Sequence, residues 1–256
     1  QSRECKAVIG VLTSVTRQQE DLGFDRALVF SMLRRWKQID MNITEAANEA
    51  RDNVKYLGTL ERFIEPLYKQ GPPAVVDALP ALLNAIKMIH TIARYYNTTE
   101  RMTKLFAKIT NQMVNNCKLA VNGGGAADSI WSRDPQKLIE ALESSLQLNE
   151  AYQEQYRLVK DKLLTTPKGK QFDFNEQHIF GKFDRFCRRV IKLIDLFSTI
   201  HQFQQLGAHA LEGMEQLCEN FAAIYDDFKG KGHDLLDFND SRFDRDYVEF
   251  NVRISD

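Results

Sequence analysis

The sequence lacks most of the features that mark specialised chains. Only four cysteines occur in 256 residues, and Cys5, Cys117, Cys187 and Cys218 stand far apart within helical patterns. No Cys-x-x-Cys spacing is present, so a zinc framework is excluded and the four read as reduced core thiols. Charge of one sign is also missing. With 34 basic and 35 acidic residues the formal net charge is −1, which gives no electrostatic reason to expect nucleic acid or a membrane surface as a partner. No apolar run stands out at the ~20 residues that a membrane-spanning helix needs. The N-terminus lacks the charged-then-apolar design of a secretory signal. Strict alternation of apolar and polar residues, the mark of a half-buried strand, never persists for more than a few residues. No repeat of fixed period is visible, which argues against a regular solenoid. The chain opens on Gln1 and stops soon after a new helical pattern has begun, so it reads as part of something longer.

What is present is helix. Hydrophobic residues make up 43% of the chain and charged residues 27%, enough apolar matter for a sizeable core. Leu79, Leu82, Ile86, Ile89, Ala93 and Tyr96 recur at steps of three and four, which sets them on one helical face. Met102, Leu105, Phe106, Ile109 and Met113 form a second stripe. Between the two, Asn97 is the expected N-cap, with Glu100 placed to reach back as in a capping box. Upstream, Cys5, Val8, Leu12 and Val15 share a face, followed after Gly23 by Ala27, Phe30, Leu33 and Trp36 on a helix expected to end near Met41. A further helix from about Thr44 carries Ile43, Ala47, Ala50, Val54, Leu57 and Ile64, and its small residues suit close helix approach. Pro66 should kink or end it, before the break at Gly71-Pro72-Pro73.

The segment Val121 to Asp134, with three glycines, reads as a surface excursion, after which Asp134 and Pro135 supply an N-cap and a first-turn proline. The next helix carries Leu138, Leu142 and Leu146, then Tyr152, Tyr156, Val159 and Leu163, with an apparent phase shift near Leu148. From Asn175 a long seam follows: Ile179, Phe183, Phe186, Val190, Leu193, Phe197 and Ile200. A last face holds Leu211, Met214, Cys218, Phe221, Tyr225 and Phe228. The expected fold is therefore all-α, with consecutive antiparallel helical bundles stacked into an elongated rod. The division is expected at 1–121 and 134–256, with 122–133 as the glycine-rich loop between them.

Several of these stretches resemble one family. Ile86 to Lys118 (IKMIHTIARYYNTTERMTKLFAKITNQMVNNCK), Asn53 to Tyr68 (NVKYLGTLERFIEPLY), Lys170 to Arg189 (KQFDFNEQHIFGKFDRFCRR) and Phe243 to Phe250 (FDRDYVEF) are similar to the N-terminal tail of axonemal dynein heavy chains, nearest to the outer-arm type. The resemblance implies a place in a motor rather than a reaction. It implies that the ATPase ring lies far downstream, and that the tail holds heavy chains together and carries WD-repeat intermediate chains and light chains. It further implies anchoring to the doublet microtubule of a cilium or flagellum through the assembled complex, within the cytoplasm and its cytoskeleton. A cytoplasmic dynein tail carrying cargo adaptors is the alternative within the family, and an unrelated helical enzyme or tethering protein the alternative outside it.

The candidate chemistry is thin. Gly123-Gly124-Gly125 is not followed by Lys-Ser/Thr, and Gly169-Lys170 lacks both the upstream glycine and the hydroxyl residue, so neither makes a phosphate loop. His90, His178, His201, His209 and His233 never fall three or four apart, the spacing of a helical metal pair. No nucleophile elbow occurs, and no cofactor, metal or catalytic residue is expected. The one cluster that invites a function is Arg185, Arg188, Arg189 and Lys192, a basic stripe at helical spacing. It reads as a solvated flank, or as one paired with acids such as Glu212, Glu215 and Glu219 of the next helix, or else as a docking patch for an acidic partner surface.

Overall fold

The structure is a computed structural model that describes residues 2–17, 26–123, 127–165, 170–208 and 213–255. Its elements, in chain order, are α1 (Ser2–Arg17), α2 (Arg26–Lys69), α3 (Pro72–Ile92), α4 (Thr99–Asn122), a 3-10 turn (Ala127–Ser132), α5 (Pro135–Leu164), α6 (Glu176–Ala208), α7 (Glu215–Gly230) and α8 (Ser241–Ser255). No strand occurs among the described residues, in keeping with the all-α expectation.

The two central stripes behave as their spacing predicts. Leu79, Leu82, Ile86, Ile89 and Ala93 are buried, as are Met102, Leu105, Phe106, Ile109 and Met113, but α3 ends at Ile92, so Tyr96, expected on the same helical face, lies beyond it in the turn and is half-buried. α3 is apolar and long enough to pass for a membrane span, contrary to the first reading. Here it packs against α2, α4 and α5 as a core helix. The turn after it differs from expectation. Thr98, not Asn97, caps α4, accepting from the Arg101 amide at 3.4 Å, while the Asn97 side chain turns back and donates to the Ala93 carbonyl at 2.5 Å. Glu100 pairs forward with Lys104 at 2.5 Å instead of closing a capping box. Asn97 has a competing acceptor in the end of α3, which the local sequence motif does not register.

α2 is continuous where two helices were expected, and Pro66 lies inside it. The proline stands one turn from the end, where its missing amide costs one bond, to the carbonyl of Arg62, and the last turn still forms. The first apolar face is rotated: Val29 and Leu33 are buried, whereas Ala27 and Phe30 are exposed. In the C-terminal half the inward residues are Leu60 and Leu67, backed by Tyr56 and Phe63. Asp52 fixes this half by accepting from the amides of Arg94 at 3.1 Å and Tyr95 at 3.2 Å. Ala47, Ala50 and Val54, expected to be inside, are exposed.

The expected division at 122–133 falls between α4 and α5, and one continuous apolar core runs from Leu60 to Phe250 through helices on both sides of it. α5 lies against α3 and α6, and α4 against α5 and α6. The segment is no simple surface excursion. Gly123 closes α4 in the left-handed region, φ 62°, where a Cβ would sit 3.1 Å from the Arg133 guanidinium. That guanidinium in turn donates to the carbonyls of Ala120, at 2.9 Å, and Val121, capping the helix end. Ile130 is buried, and Trp131 meets Phe197, Tyr225 and Phe228 at 5.4, 5.9 and 6.4 Å between ring centres. Gly124 and Gly125 lie outside the described residues.

Asp134 caps α5 as predicted, accepting from the Lys137 amide at 3.0 Å. The apparent phase shift in α5 dissolves. Its buried residues are Leu138, Leu142, Ser145, Leu148, Asn149, Tyr152, Tyr156, Val159 and Leu163; all but Leu148, which lies beside the seam, fall at steps of three and four, with two polar residues occupying seam positions. Ser145 Oγ donates to the Ala141 carbonyl at 2.9 Å, and Asn149 Nδ2 to Asp184 at 3.1 Å. Each polar group is thus at least partly satisfied where it is buried.

Candidate functional site

α6 begins at Asn175, whose side chain accepts from the amides of Gln177 at 3.0 Å and His178 at 3.4 Å. The entire seam from Ile179 to Ile200 is buried, and it fixes which way the other faces of α6 point. The basic stripe splits. Arg185 and Arg188 are exposed, while Arg189 is 3% exposed. Arg189 Nη2 donates to the Asp240 carbonyl at 2.8 Å and lies 3.6 Å from the Asp244 carboxylate. Its guanidinium carbon sits 3.9 Å from the centre of the Phe243 ring, a desolvated cation–π contact. Burial pulls the Arg189 pKa down, and Asp244, Asp240, Asp237 and Asp234 act in the opposite direction. Lys192 Nζ donates to Asp244 at 2.8 Å. Half of the stripe therefore clamps α8 onto α6. The acids it meets come from α8 and the loop before it, not from Glu215 or Glu219 of α7 as first expected. Glu212 lies outside the described residues.

The loop that feeds α8 is held by its own carboxylates. Asp234, Asp237 and Asp240 accept from the amides two residues on, Leu236, Asn239 and Arg242, at 3.0, 3.0 and 2.9 Å. The Arg242 side chain also donates to Asp240, and these bonds hold the carboxyl down at about 2. Buried Leu235 and Leu236 anchor the loop. His233 Nε2 is 3.0 Å from Asp246, whose other oxygen is 3.8 Å from Lys231 Nζ.

These elements enclose a depression of about 390 Å³ lined by Arg185, Arg188, Arg189, Ile191, Lys192, Phe238 and Asp244. Lys118 of α4 reaches over the Phe238 ring at 5.3 Å. Cations from two helices thus surround one aromatic floor, with Asp244 engaged by Lys192 and Arg189. Chemically such a surface can receive carboxylates flanking an apolar group. The phenylalanine segment ahead of α6, missed in the sequence because it is not helical, buttresses the other end. Phe172 and Phe174 are buried among His90, Phe106 and Tyr156 with ring centres 5.1–5.8 Å apart. A Phe-x-Phe alternation in a short extended stretch was the available signal.

The remaining candidates divide in the same way. His90 is buried against Phe172 and Phe174, and burial lowers its pKa, with Lys170 adding to the effect. His201 Nε2 lies 2.9 Å from the Gln205 amide nitrogen, and His178 is exposed. His209 and Gly169 lie outside the described residues. Among the described residues no group of three or more His, Cys, Asp or Glu is placed to hold a metal. Cys5, Cys117 and Cys187 are buried. Burial pushes the Cys117 and Cys187 thiols up to about 12, which leaves them protonated and unreactive.

The sequence of the whole chain, residues 1–256, matches the family described as dynein heavy chain, N-terminal region 1. It is 43% identical over 256 residues to the gamma chain of the flagellar outer arm of Chlamydomonas reinhardtii, covering 100% of this chain and 5% of that one. It is 42% identical over 225 residues to axonemal heavy chain 5 of Mus musculus, 88% of this chain and 5% of the relative. Over 251 residues it is 35% identical to axonemal heavy chain 8 of Mus musculus, 98% of this chain and again 5% of the relative. The chain thus spans about one-twentieth of the length of these relatives. With its full length inside the family match, the chain belongs to the N-terminal region of the dynein heavy chains.

Proposed function

We propose that this chain is a non-catalytic structural segment of the tail of an axonemal dynein heavy chain, of the outer-arm kind. It acts in the cilium or flagellum, supporting heavy-chain assembly, binding of intermediate and light chains, and anchoring of the motor to the doublet microtubule. The observation that carries this reading is the 43% identity to an outer-arm chain across all 256 residues. The helical core supports it: a single apolar core through seven helices, α2 to α8, makes a stiff element that transmits load and leaves its flanks free for partners. Within this role the depression ringed by Arg185, Arg188, Lys192 and Lys118 is the surface for an acidic partner. Arg185 and Arg188 carry the docking, and Arg189 holds the wall.

The test is affinity capture from ciliary extract, read by mass spectrometry, with the parent chain and an Arg185→Glu/Arg188→Glu variant. Axonemal intermediate chains should co-purify with the parent. Vesicle cargo adaptors in their place would favour a cytoplasmic tail, and ATP turnover by the chain would overturn the non-catalytic reading. Captured partners that depend on the basic surface should be lost from the variant and should wash off the parent as salt rises, because screening weakens exposed charge pairs. An unchanged set of partners would remove the depression from the account and leave the tail assignment standing.

A further inference from the structure

The depression between α6 and the loop before α8 gathers more positive charge than the chain neutralises. Arg185, Arg188, Arg189 and Lys192 line it, and Asp244 is the one carboxylate among the lining residues. Lys118 of α4 stands over its Phe238 ring. Asp244 is already divided between Lys192 at 2.8 Å and Arg189 at 3.6 Å, and of the loop acids Asp240 is held by the Arg242 side chain. Arg185 and Arg188 are exposed, and among the described residues neither forms an ion pair. Arg189 supplies a second, independent sign. It is 3% exposed, yet its Nε and Nη1 have no hydrogen-bond partner. Buried donors are ordinarily paired, so this side chain keeps donor capacity on the wall of the depression that the chain itself does not use.

We propose that the depression is a binding site for a small organic polyphosphate, a compact carbon skeleton that carries two or more phosphoryl groups. Three features select that class. The volume, about 390 Å³, falls at the small end of the roughly 300–1,000 Å³ of small-molecule sites. The planar fork of arginine matches phosphoryl oxygens, and a phosphate ester brings up to about two negative charges where a carboxylate brings one. The cations are spread out: those of α6 recur from Arg185 to Lys192, about 10 Å along the helix, and Lys118 approaches from α4. Several phosphoryl groups on one small skeleton can therefore be met at once, while Phe238 and Ile191 offer apolar surface to the carbon part. The site rests on the reading of the depression as a surface that receives anions, and it gives that surface a regulator: a ligand on Arg185 and Arg188 competes with the acidic partner for them.

The test is isothermal titration of the 256-residue chain at about 0.15 M salt, where exposed charges are screened beyond about 8 Å, with inositol hexakisphosphate, ADP and inorganic pyrophosphate as separate probes. The expected result is one-to-one binding of inositol hexakisphosphate or ADP with Kd at or below about 10 μM, and pyrophosphate, which has no carbon skeleton, at least about tenfold weaker. Tighter binding of the hexakisphosphate identifies a polyol as the source of the phosphoryl groups, and tighter binding of ADP a nucleotide. Arg185→Gln/Arg188→Gln should weaken binding at least about tenfold, and Lys118→Gln at least about threefold. Arg34→Gln/Arg35→Gln, the same change of charge on exposed residues of α2, should stay within about twofold of the parent. Circular dichroism checks that each variant is folded. No binding of either organic probe up to about 100 μM, or an equal loss in the α2 control, overturns the proposal. The capture experiment separates the two readings of the surface. If no polyphosphate binds and partners are still lost from Arg185→Glu/Arg188→Glu, the ligand falls and the partner surface stands. If polyphosphate binds and that variant keeps its partners, the partner surface falls and the ligand stands.

Discussion

Arg189→Ala should destabilise the chain by about 2–4 kcal/mol, although the residue belongs to a run of surface-like charges. Three contributions are lost. The bond from Nη2 to the Asp240 carbonyl, at 2.8 Å, is charge-assisted and contributes roughly 1.5–3 kcal/mol. The cation–π contact with Phe243 at 3.9 Å adds about 2 kcal/mol when desolvated. The buried stem contributes roughly 0.8 kcal/mol per methylene. Against these stands the cost of holding a guanidinium away from water, raised here because Nε and Nη1 have no hydrogen-bond partner. That offset keeps the net loss below the sum. For a chain of this length each kcal/mol moves the midpoint by about 2–4 °C, so thermal melts should show a fall of roughly 4–16 °C, and urea melts a lower midpoint with an unchanged slope. Arg189→Met, which fills the space without a charge, should recover more than half of the loss. Arg185→Ala, one turn away and exposed, should stay within about 0.5 kcal/mol of the parent. An Arg189→Ala variant melting within a degree of the parent would refute the clamp between α6 and α8.

Three further outcomes are expected. Phe186→Ala should cost about 3–5 kcal/mol, transfer plus cavity, since Phe186 is fully buried in the α6 seam and meets Phe183 and Phe238; a denaturation curve matching the parent would mean that another face of α6 is inside. Stability should fall as pH drops below about 6.5, the ordinary value for histidine, because burial lowers the His90 pKa in the folded state. The unfolded chain then binds the extra proton and the loss continues down to the folded value; His90→Leu should flatten that part of the profile. In native protein a thiol reagent should label Cys218, which is half-buried, well before Cys117 and Cys187, whose thiols are buried and pushed up to about 12. Equal labelling of all three, followed by mass spectrometry, would show that the core opens readily.

The sequence by itself determined which segments are helices and, where a seam is wholly apolar, which face is buried. α3, α4 and α6 came out as their spacing predicts, because a run of large apolar residues at steps of three and four has one low-energy orientation. It also carried the family resemblance. Tertiary structure decided what periodicity is silent about. Ser145 and Asn149 complete the α5 seam because Ala141 and Asp184 accept from them, a satisfaction that only the packed partner supplies. Asn97 gave up the cap position to Thr98 because the end of α3 offered it a carbonyl. Arg189 and Arg188 are chemically identical neighbours, yet one is buried and the other exposed: a 100° turn of the helix puts the first over Phe243 and leaves the second in water. Most plainly, the pattern on α2 marked Ala47, Ala50 and Val54 as residues to be covered, and the fold leaves them open, because a hydrophobic stripe encodes the need for a partner but not where that partner is.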